Sequence, residues 1–479
     1  MDVGPDSGGP EFPPATREQW AALAAKALGG QSVEEALTSR TDDGLPVAAL
    51  SDRAAAKPLA SARSAARWTI VQRVDDPDLS RARAQLHDDV EHGATGVAMV
   101  FAGAPNAFGY GLPPTQETLN VVLGDLPAGK VHLRIDAHPQ SRTTAEMLAV
   151  LLGRKRADIT RLSLSFGIDP AAIFAGTGAL RMSIAALQAS MPQSLGHFFA
   201  MGAPGILLEA DGRVFHNAGA TEAQELGVMI ASAALYLRMF SEARQPLVYA
   251  VPHIGFSLSV DQDQFLSMAK IRALRKLWAR VQESCGVPPT VAAVHTETSY
   301  RMMTKRDPET NILRSTIACF AAAAGGADTI SILPHTITHG LPDAFARRVA
   351  RNTQIIMADE SHAGFVSDPA AGSGAVEGLT GSLCAAAWAE FQQIEREGGV
   401  LQSLSDGHVQ RRVAEARETR ARLYREGKRS IIGTTAFPPA NERPVSVLSA
   451  SAPEIAIEAA ATCEPLLPAR IDDCLGERA

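Results

Sequence analysis

The chain has 479 residues, 46% of them hydrophobic and 20% charged, with a formal net charge of −7. That length suits one large core with terminal additions, and an acidic balance without a basic stripe argues against nucleic acid or an anionic membrane surface as partner. Cys285, Cys319, Cys384, Cys463 and Cys474 lie far apart without a Cys-x-x-Cys pair, no apolar run reaches 18 residues, and the first residues carry no basic, then apolar, leader pattern; the expectation is a cytoplasmic protein with reduced thiols.

Residues 1–15 are rich in Gly, Pro and acid and read as an arm that orders on a partner. Thr16 and Gln19 form a capping-box start for a helix carrying Trp20, Leu23 and Leu28. Residues 41–68 read as an extended, Ala-rich connector, so that residues 1–68 form an N-terminal arm and connector. From residue 69 short β-type runs recur at 96–101, 131–136, 161–166, 205–209, 247–251, 291–296, 329–333 and 364–366, alternating with helical stretches such as 220–240, 262–282, 311–324 and 341–357. Strands apolar or small on both faces, each followed by a helix, predict an α/β fold: a (β/α)8 TIM barrel over residues 69–400.

The run at 364–366 leads into the turn Asp368-Pro369-Ala370-Ala371-Gly372-Ser373, where Ser373 can cap a helix spaced for burial through Leu379, Leu383, Ala387 and Phe391. Residues 401–479 are the third division. Residues 407–428 are charged all round and read as an exposed or interfacial helix, and a Pro- and Ala-rich extended tail follows that wraps around another surface.

Groups that act on a ligand in a barrel stand at the carboxyl ends of its strands. Just past the runs above come Asp136, His138, Asp169, Asp211, His216, His253, His295, Glu297, His335, His339 and Asp368. No pair has a metal-ligand pattern: His335 and His339 stand four apart, but Pro334, Gly340 and Pro342 break a helical face there. The chain has no Gly-x-Ser-x-Gly elbow, no Gly-Lys-Ser/Thr loop and no Gly-x-Gly-x-x-Gly after a strand, so hydrolysis, phosphoryl transfer and hydride transfer have no motif. His216, His295 and His335 are the candidate catalytic residues, and none is marked for a cofactor or a metal.

Residues 359–400, with their Asp-Pro-x-x-Gly-Ser turn, resemble the end of the acyl-CoA-binding barrel in cobalamin-dependent methylmalonyl-CoA mutases. Thr41-Asp42-Asp43-Gly44-Leu45 resembles that family's Thr-x-Asp/Glu-Gly-Ile entry peptide. Trp68-Thr69-Ile70-Val71-Gln72-Arg73 resembles its Pro-Trp-x-Ile-Arg-Gln element, and Arg348-Val349-Ala350-Arg351-Asn352-Thr353-Gln354 its Arg-Ile-Ala-Arg-Asn-Thr-Gln helix. Within the family His216-Asn217-Ala218-Gly219-Ala220, Gln224-Glu225-Leu226-Gly227 and Glu360-Ser361-His362 are similar to the small (beta) subunit pattern. Catalytic subunits place Tyr-His where this chain has Arg213 and Val214, and a tyrosine where it has Arg63; their substrate-carboxylate arginine has no match in residues 193–204.

The resemblance implies a small subunit of a heterodimer with a large (alpha) subunit. Adenosylcobalamin is then held by that partner, acyl-CoA is the substrate of the complex, and this chain's own role is non-catalytic. Asp136-Ala137-His138 and Asp406-Gly407-His408 lack the closing glycine of the cobalamin Asp-x-His-x-x-Gly motif, so no cobalamin domain is expected within the chain. Leu466-Leu467-Pro468-Ala469-Arg470 is similar to the linker that leads to one in relatives. Two alternatives stay open: an active barrel subunit served by a separate cobalamin-binding protein, and a barrel retained as an acyl-CoA-binding or regulatory module.

Overall fold

The computed structural model describes residues 15–63, 67–126, 129, 131–155, 162–202, 205–451 and 457–478. Most of the expected N-terminal arm and the first residue of the run at 161–166 lie outside the described residues. Eight strands, β1 (Thr69–Val74), β2 (Gly96–Met99), β3 (His132–Ile135), β4 (Leu164–Ile168), β5 (Ile206–Asp211), β6 (Ile254–Val260), β7 (Ala293–Thr298) and β8 (Thr329–Ser331), close in chain order into a parallel barrel surrounded by helices. Thr329 pairs with Thr69 and Ser331 with Val71, which joins β8 to β1. The fold is the expected (β/α)8 barrel.

Two expected strands are absent, and two that were not expected, β1 and β6, complete the barrel. Residues 247–251 coil into the short helix Leu247–Ala250 and the 3-10 turn Val251–His253, because Pro252 cannot donate to a ladder; β6 starts only at Ile254. Gly364, Phe365 and Val366 form no strand, and Phe365 is 72% exposed. β1 takes the eighth place, so the closed barrel has no free edge for a further strand.

The strands alternate by period two, and their inner face sets charged side chains among small ones such as Ala98 and Gly255. Ile70, Val97, Leu133, Phe166, Leu208, Phe256 and Val294 belong to the buried core, whereas Arg73, Arg134, Glu209 and Glu297 bond to one another's strands across the bore. At Gly167 in β4, φ is +56° and an added Cβ would lie 1.8 Å from the Ile135 carbonyl oxygen. This glycine sits where the β4–β5 register shifts between Ser165 and Ile168.

Caps follow the sequence signals. Thr16 and Gln19 close a capping box on Arg17–Ala27, yet that helix buries none of its residues. Ser373 occupies the N-cap of Gly374–Arg396 but makes no side-chain cap bond. Helix Gly374–Arg396 lies across Glu222–Glu242 and Gln264–Ser284, a third layer over that side of the barrel. The helix expected to be exposed or interfacial, His408–Arg425, buries Val409, Val413, Arg420, Ala421 and Tyr424.

Candidate functional site

The bore at the carboxyl end of the strands holds a lattice of charges. Arg73 on β1 donates to Asp75 at 3.2 Å and to Glu297 on β7 at 2.9 Å. Arg134 on β3 reaches Asp136 at 2.9 Å and Glu209 on β5 at 2.5 Å, and also the hydroxyl of Ser257 on β6. Arg213, just past β5, bridges Asp211 at 2.7 Å, Asp136 at 3.1 Å and Glu297 at 3.2 Å. All three guanidiniums are fully or nearly fully buried.

Burial alone would neutralise such groups; here opposite charge outweighs it. Burial pushes the Asp136 carboxyl up, but Arg213, Arg134 and Arg73 hold it far below the usual carboxylate range. Burial likewise opposes the charge on Arg213, and Asp136, Asp211 and Glu297 more than restore it. Three guanidiniums face five carboxylates, Asp75, Asp136, Glu209, Asp211 and Glu297, so the lattice carries a formal excess of negative charge. Its arginines are committed to internal partners, and its surplus opposes an anionic ligand.

The three candidate histidines fall on three separate elements, and none bonds to another among the described residues. His216, in helix Arg213–Ala218, accepts no solvent: Nε2 contacts Ser299 Oγ at 2.9 Å and Nδ1 contacts Glu225 at 3.1 Å, while Lys270 donates to Glu225 at 2.6 Å. The order Ser299, His216, Glu225 has the hydrogen-bond reach of a nucleophilic triad. All three side chains are buried without a path for substrate, however, and burial with Arg301 and Lys270 nearby keeps the imidazole neutral far below its ordinary range. Burial also pushes Glu225 up, to about 7, against Lys270.

His295 lies in the bore, its Nδ1 on Thr329 Oγ1 at 2.7 Å, with burial and then Arg134 and Arg213 depressing its pKa strongly. His335 stands in the loop after β8, its ring edge-on to Phe345. The remaining residues singled out by position bond within the fold. His138 stacks on Phe101 and bonds Thr144; Asp169 accepts from Tyr236 and the Asp211 amide; His253 contacts the Gly205 carbonyl. Asp368 pairs with Arg272 and accepts from Leu59 N–H at 2.8 Å, so the Asp-Pro turn anchors the connector.

The mouth above the lattice is covered by the chain itself. Cys463 N–H donates to Gly178 O, Leu466 to Ala175 O, Ala469 to Asn217 O and Ile471 to Arg301 O, so residues 463–471 cross the loops after β4, β5 and β7 as a strap. Helix His408–Arg425 lies beside it: Arg420 donates to Gly219 O and Ala220 O and pairs with Asp42. Asp42 also pairs with Arg429, and Asp43 accepts from Ala223 N–H, which fixes the Thr41–Leu45 peptide on the same rim. A cavity of about 550 Å³ opens on this rim beside the entry peptide, lined by Asp42, Glu222, Asp261, Asp263, Arg301 and Arg420 among others. Arg301 inside it is spent on Glu222, Asp261 and two carbonyls.

Arg73, Arg134 and Glu209 were not among the residues that position after a strand brings forward. The signal for them was charge embedded within otherwise apolar strands, as in Thr69–Val74 and His132–Ile135. Among the described residues no three His, Cys, Asp or Glu side chains converge as a metal site, and no helix is long and apolar enough to cross a membrane.

Comparison with known proteins places the chain in a family. A family model described as methylmalonyl-CoA mutase matches residues 113–470. The chain is 37% identical to the methylmalonyl-CoA mutase small subunit of Streptomyces virginiae, across 93% of this chain and 74% of that one. It is 33% identical to the methylmalonyl-CoA mutase small subunit of Propionibacterium freudenreichii subsp. shermanii, across 89% and 69%. To a probable methylmalonyl-CoA mutase small subunit of Mycobacterium tuberculosis it is 45% identical, across 48% of this chain and 38% of that protein.

Proposed function

Because the chain belongs to the methylmalonyl-CoA mutase family, we propose that it is the small, non-catalytic subunit of a cytoplasmic heterodimeric enzyme. Its larger partner holds adenosylcobalamin, and the complex interconverts methylmalonyl-CoA and succinyl-CoA. On this reading residues 1–68 engage the partner, residues 69–400 form the barrel, and residues 401–479 close it.

The observation that carries the reading is the bore. Rearranging a thioester by radicals needs a sealed pocket, an oriented carboxylate and the cofactor above the substrate. Arg213 occupies the slot where catalytic relatives have tyrosine, and it is consumed by three carboxylates. A substrate carboxylate entering the bore would meet a surplus of like charge. The residues at the mouth do not fit a cobalamin either: the strap and Arg420 fill the place above the strand ends, with backbone groups already bonded.

Calorimetric titration of the purified chain with methylmalonyl-CoA tests this directly. The expected result is no saturable heat for the chain alone, and turnover only after addition of a large subunit. Turnover with a free cobalamin-carrying protein as the sole addition would establish an active barrel subunit instead and end the proposal.

A further inference from the structure

Two neighbouring helices on the outer wall are apolar on the wrong side. Helix Thr310–Gly325 packs Ser315, Ala318, Cys319 and Ala322 inward, and exposes Leu313 (66%), Ile317 (41%) and Phe320 (37%) outward at helical spacing. The next helix, Ala344–Ile355, runs alongside it and exposes Phe345 (63%), and Ile356 (45%) follows in the π-turn Ile356–Glu360. Both helices follow consecutive strands, so they run parallel. Asn311 donates to the His335 carbonyl, and the His335 ring meets Phe345, which ties their starting ends together.

The rest of the wall shows what is missing. Helices Glu222–Glu242 and Gln264–Ser284 are covered by Gly374–Arg396, which the chain supplies itself. No described element covers Leu313, Ile317, Phe320 and Phe345 in that way.

We infer that this two-helix face is the docking surface for the wall of a second, different barrel, the larger subunit of the reading above, on which this inference rests. The five helical side chains expose roughly 500 Å², at the upper end of the largest patch on a typical monomer. A standard interface takes ~800 Å² per partner, so this face supplies more than half of one and the arm helix Arg17–Ala27 is available for the remainder. The N-terminal arm leaves the barrel beside the same region. Ala54 N–H donates to Gly372 O, Arg67 pairs with Asp359, and Arg17 pairs with Asp52, tethering a helix that has no buried residue of its own. A partner seated on the face lies within reach of that helix. A second copy of this chain would bring an equal formal charge of −7 to the contact, which disfavours it as occupant.

The test is a double variant, Leu313→Asp with Phe320→Glu, against the control Tyr249→Asp, a residue 67% exposed outside the face. Binding to the large mutase subunit of the same organism is measured by surface plasmon resonance, with melting temperature recorded for each chain. The expected result is a Kd raised at least about 100-fold for the double variant, an unchanged Kd for the control, and melting within a few degrees for both. In the unaltered chain, hydrogen exchange of peptides over 310–325 slows when the large subunit is added, an outcome independent of any variant's folding. A double variant that binds as well as the parent overturns the docking face and leaves the subunit reading intact. A parent chain that binds no large subunit overturns the subunit reading itself. Self-association of the parent that the double variant abolishes makes a second copy the occupant and overturns the choice made here.

Discussion

Inside the barrel, Arg73, Arg134 and Arg213 each touch at least two carboxylates; on its outer wall, Leu313, Ile317, Phe320 and Phe345 stand in solvent beside a tethered helix that buries nothing. Charges taken out of water are tolerable only when paired, so the three guanidiniums are spent on carboxylates of the lattice, while the buried Asp75 Oδ1 and His295 Nε2 keep no hydrogen-bond partner among the described residues. Apolar surface in water costs about 25 cal/mol per Å² but leaves no charge unpaired, so a face can stay exposed on a folded chain and gain that energy when a partner covers it. The contrast teaches where this molecule spends its interactions: inward for self-closure, outward for association.

The largest effect should come from breaking the inner half of the contrast. Arg213→Met leaves Asp136, Asp211 and Glu297 without their shared cation, and the loss should be about 3–5 kcal/mol in urea unfolding. A loss under about 1 kcal/mol would mean that the bore tolerates an open charge, and the closed-bore argument would fail with it. Next comes the strap. Leu466 is buried in the main core, and Leu466→Ala should cost about 2 kcal/mol while hydrogen exchange of residues 463–471 rises.

The entry peptide supplies a smaller, pH-dependent effect. Burial, then the neighbouring Glu222, pushes Asp43 up from 3.8 to about 7. Between those values the folded chain holds this proton more firmly than the unfolded chain does, so stability contributed by Asp43 is present below about pH 4 and is lost as pH rises through about 7. Asp42 runs the other way: burial opposes its charge, but Arg420 and Arg429 lower it to about 2, so its contribution is present above pH 4 and lost on acidification toward 2. Asp43→Asn should therefore reduce the fall in stability between pH 4 and 7 by on the order of 1 kcal/mol, read from unfolding curves at each pH. The smallest effect sharpens the outer half. Leu23→Asp, on the unburied arm helix, should leave the isolated chain within about 0.5 kcal/mol of the parent and yet weaken the complex with the large subunit.

Much of the architecture was legible beforehand because it rests on local signals. The capping box at Thr16, the helices near 222–242, 264–284 and 310–325, and the β/α rhythm all follow from spacing and caps within a few residues. Where that reading failed, a distant partner decided. Residues 364–366 have the composition of a strand, but β8 had already paired with β1. The helix at 408–425 is charged by composition, but Arg420 meets carbonyls of residues 219 and 220, which only the folded chain brings near.

The same division holds for the site. His216, His295 and His335 were visible as residues near strand ends, but burial and partners separate them into a sealed hydrogen-bond chain, a bore-lining ring and a loop. The sequence by itself determined the barrel, its family and the absence of familiar catalytic motifs, since periodicity, caps and motif residues are properties of neighbours along the chain. Only the tertiary structure decided that the bore is locked and the outer wall left open. Each bore arginine meets one carboxylate two residues along, but the carboxylates that complete its pairing lie about 75 to 224 positions away, and no local pattern encodes that distance.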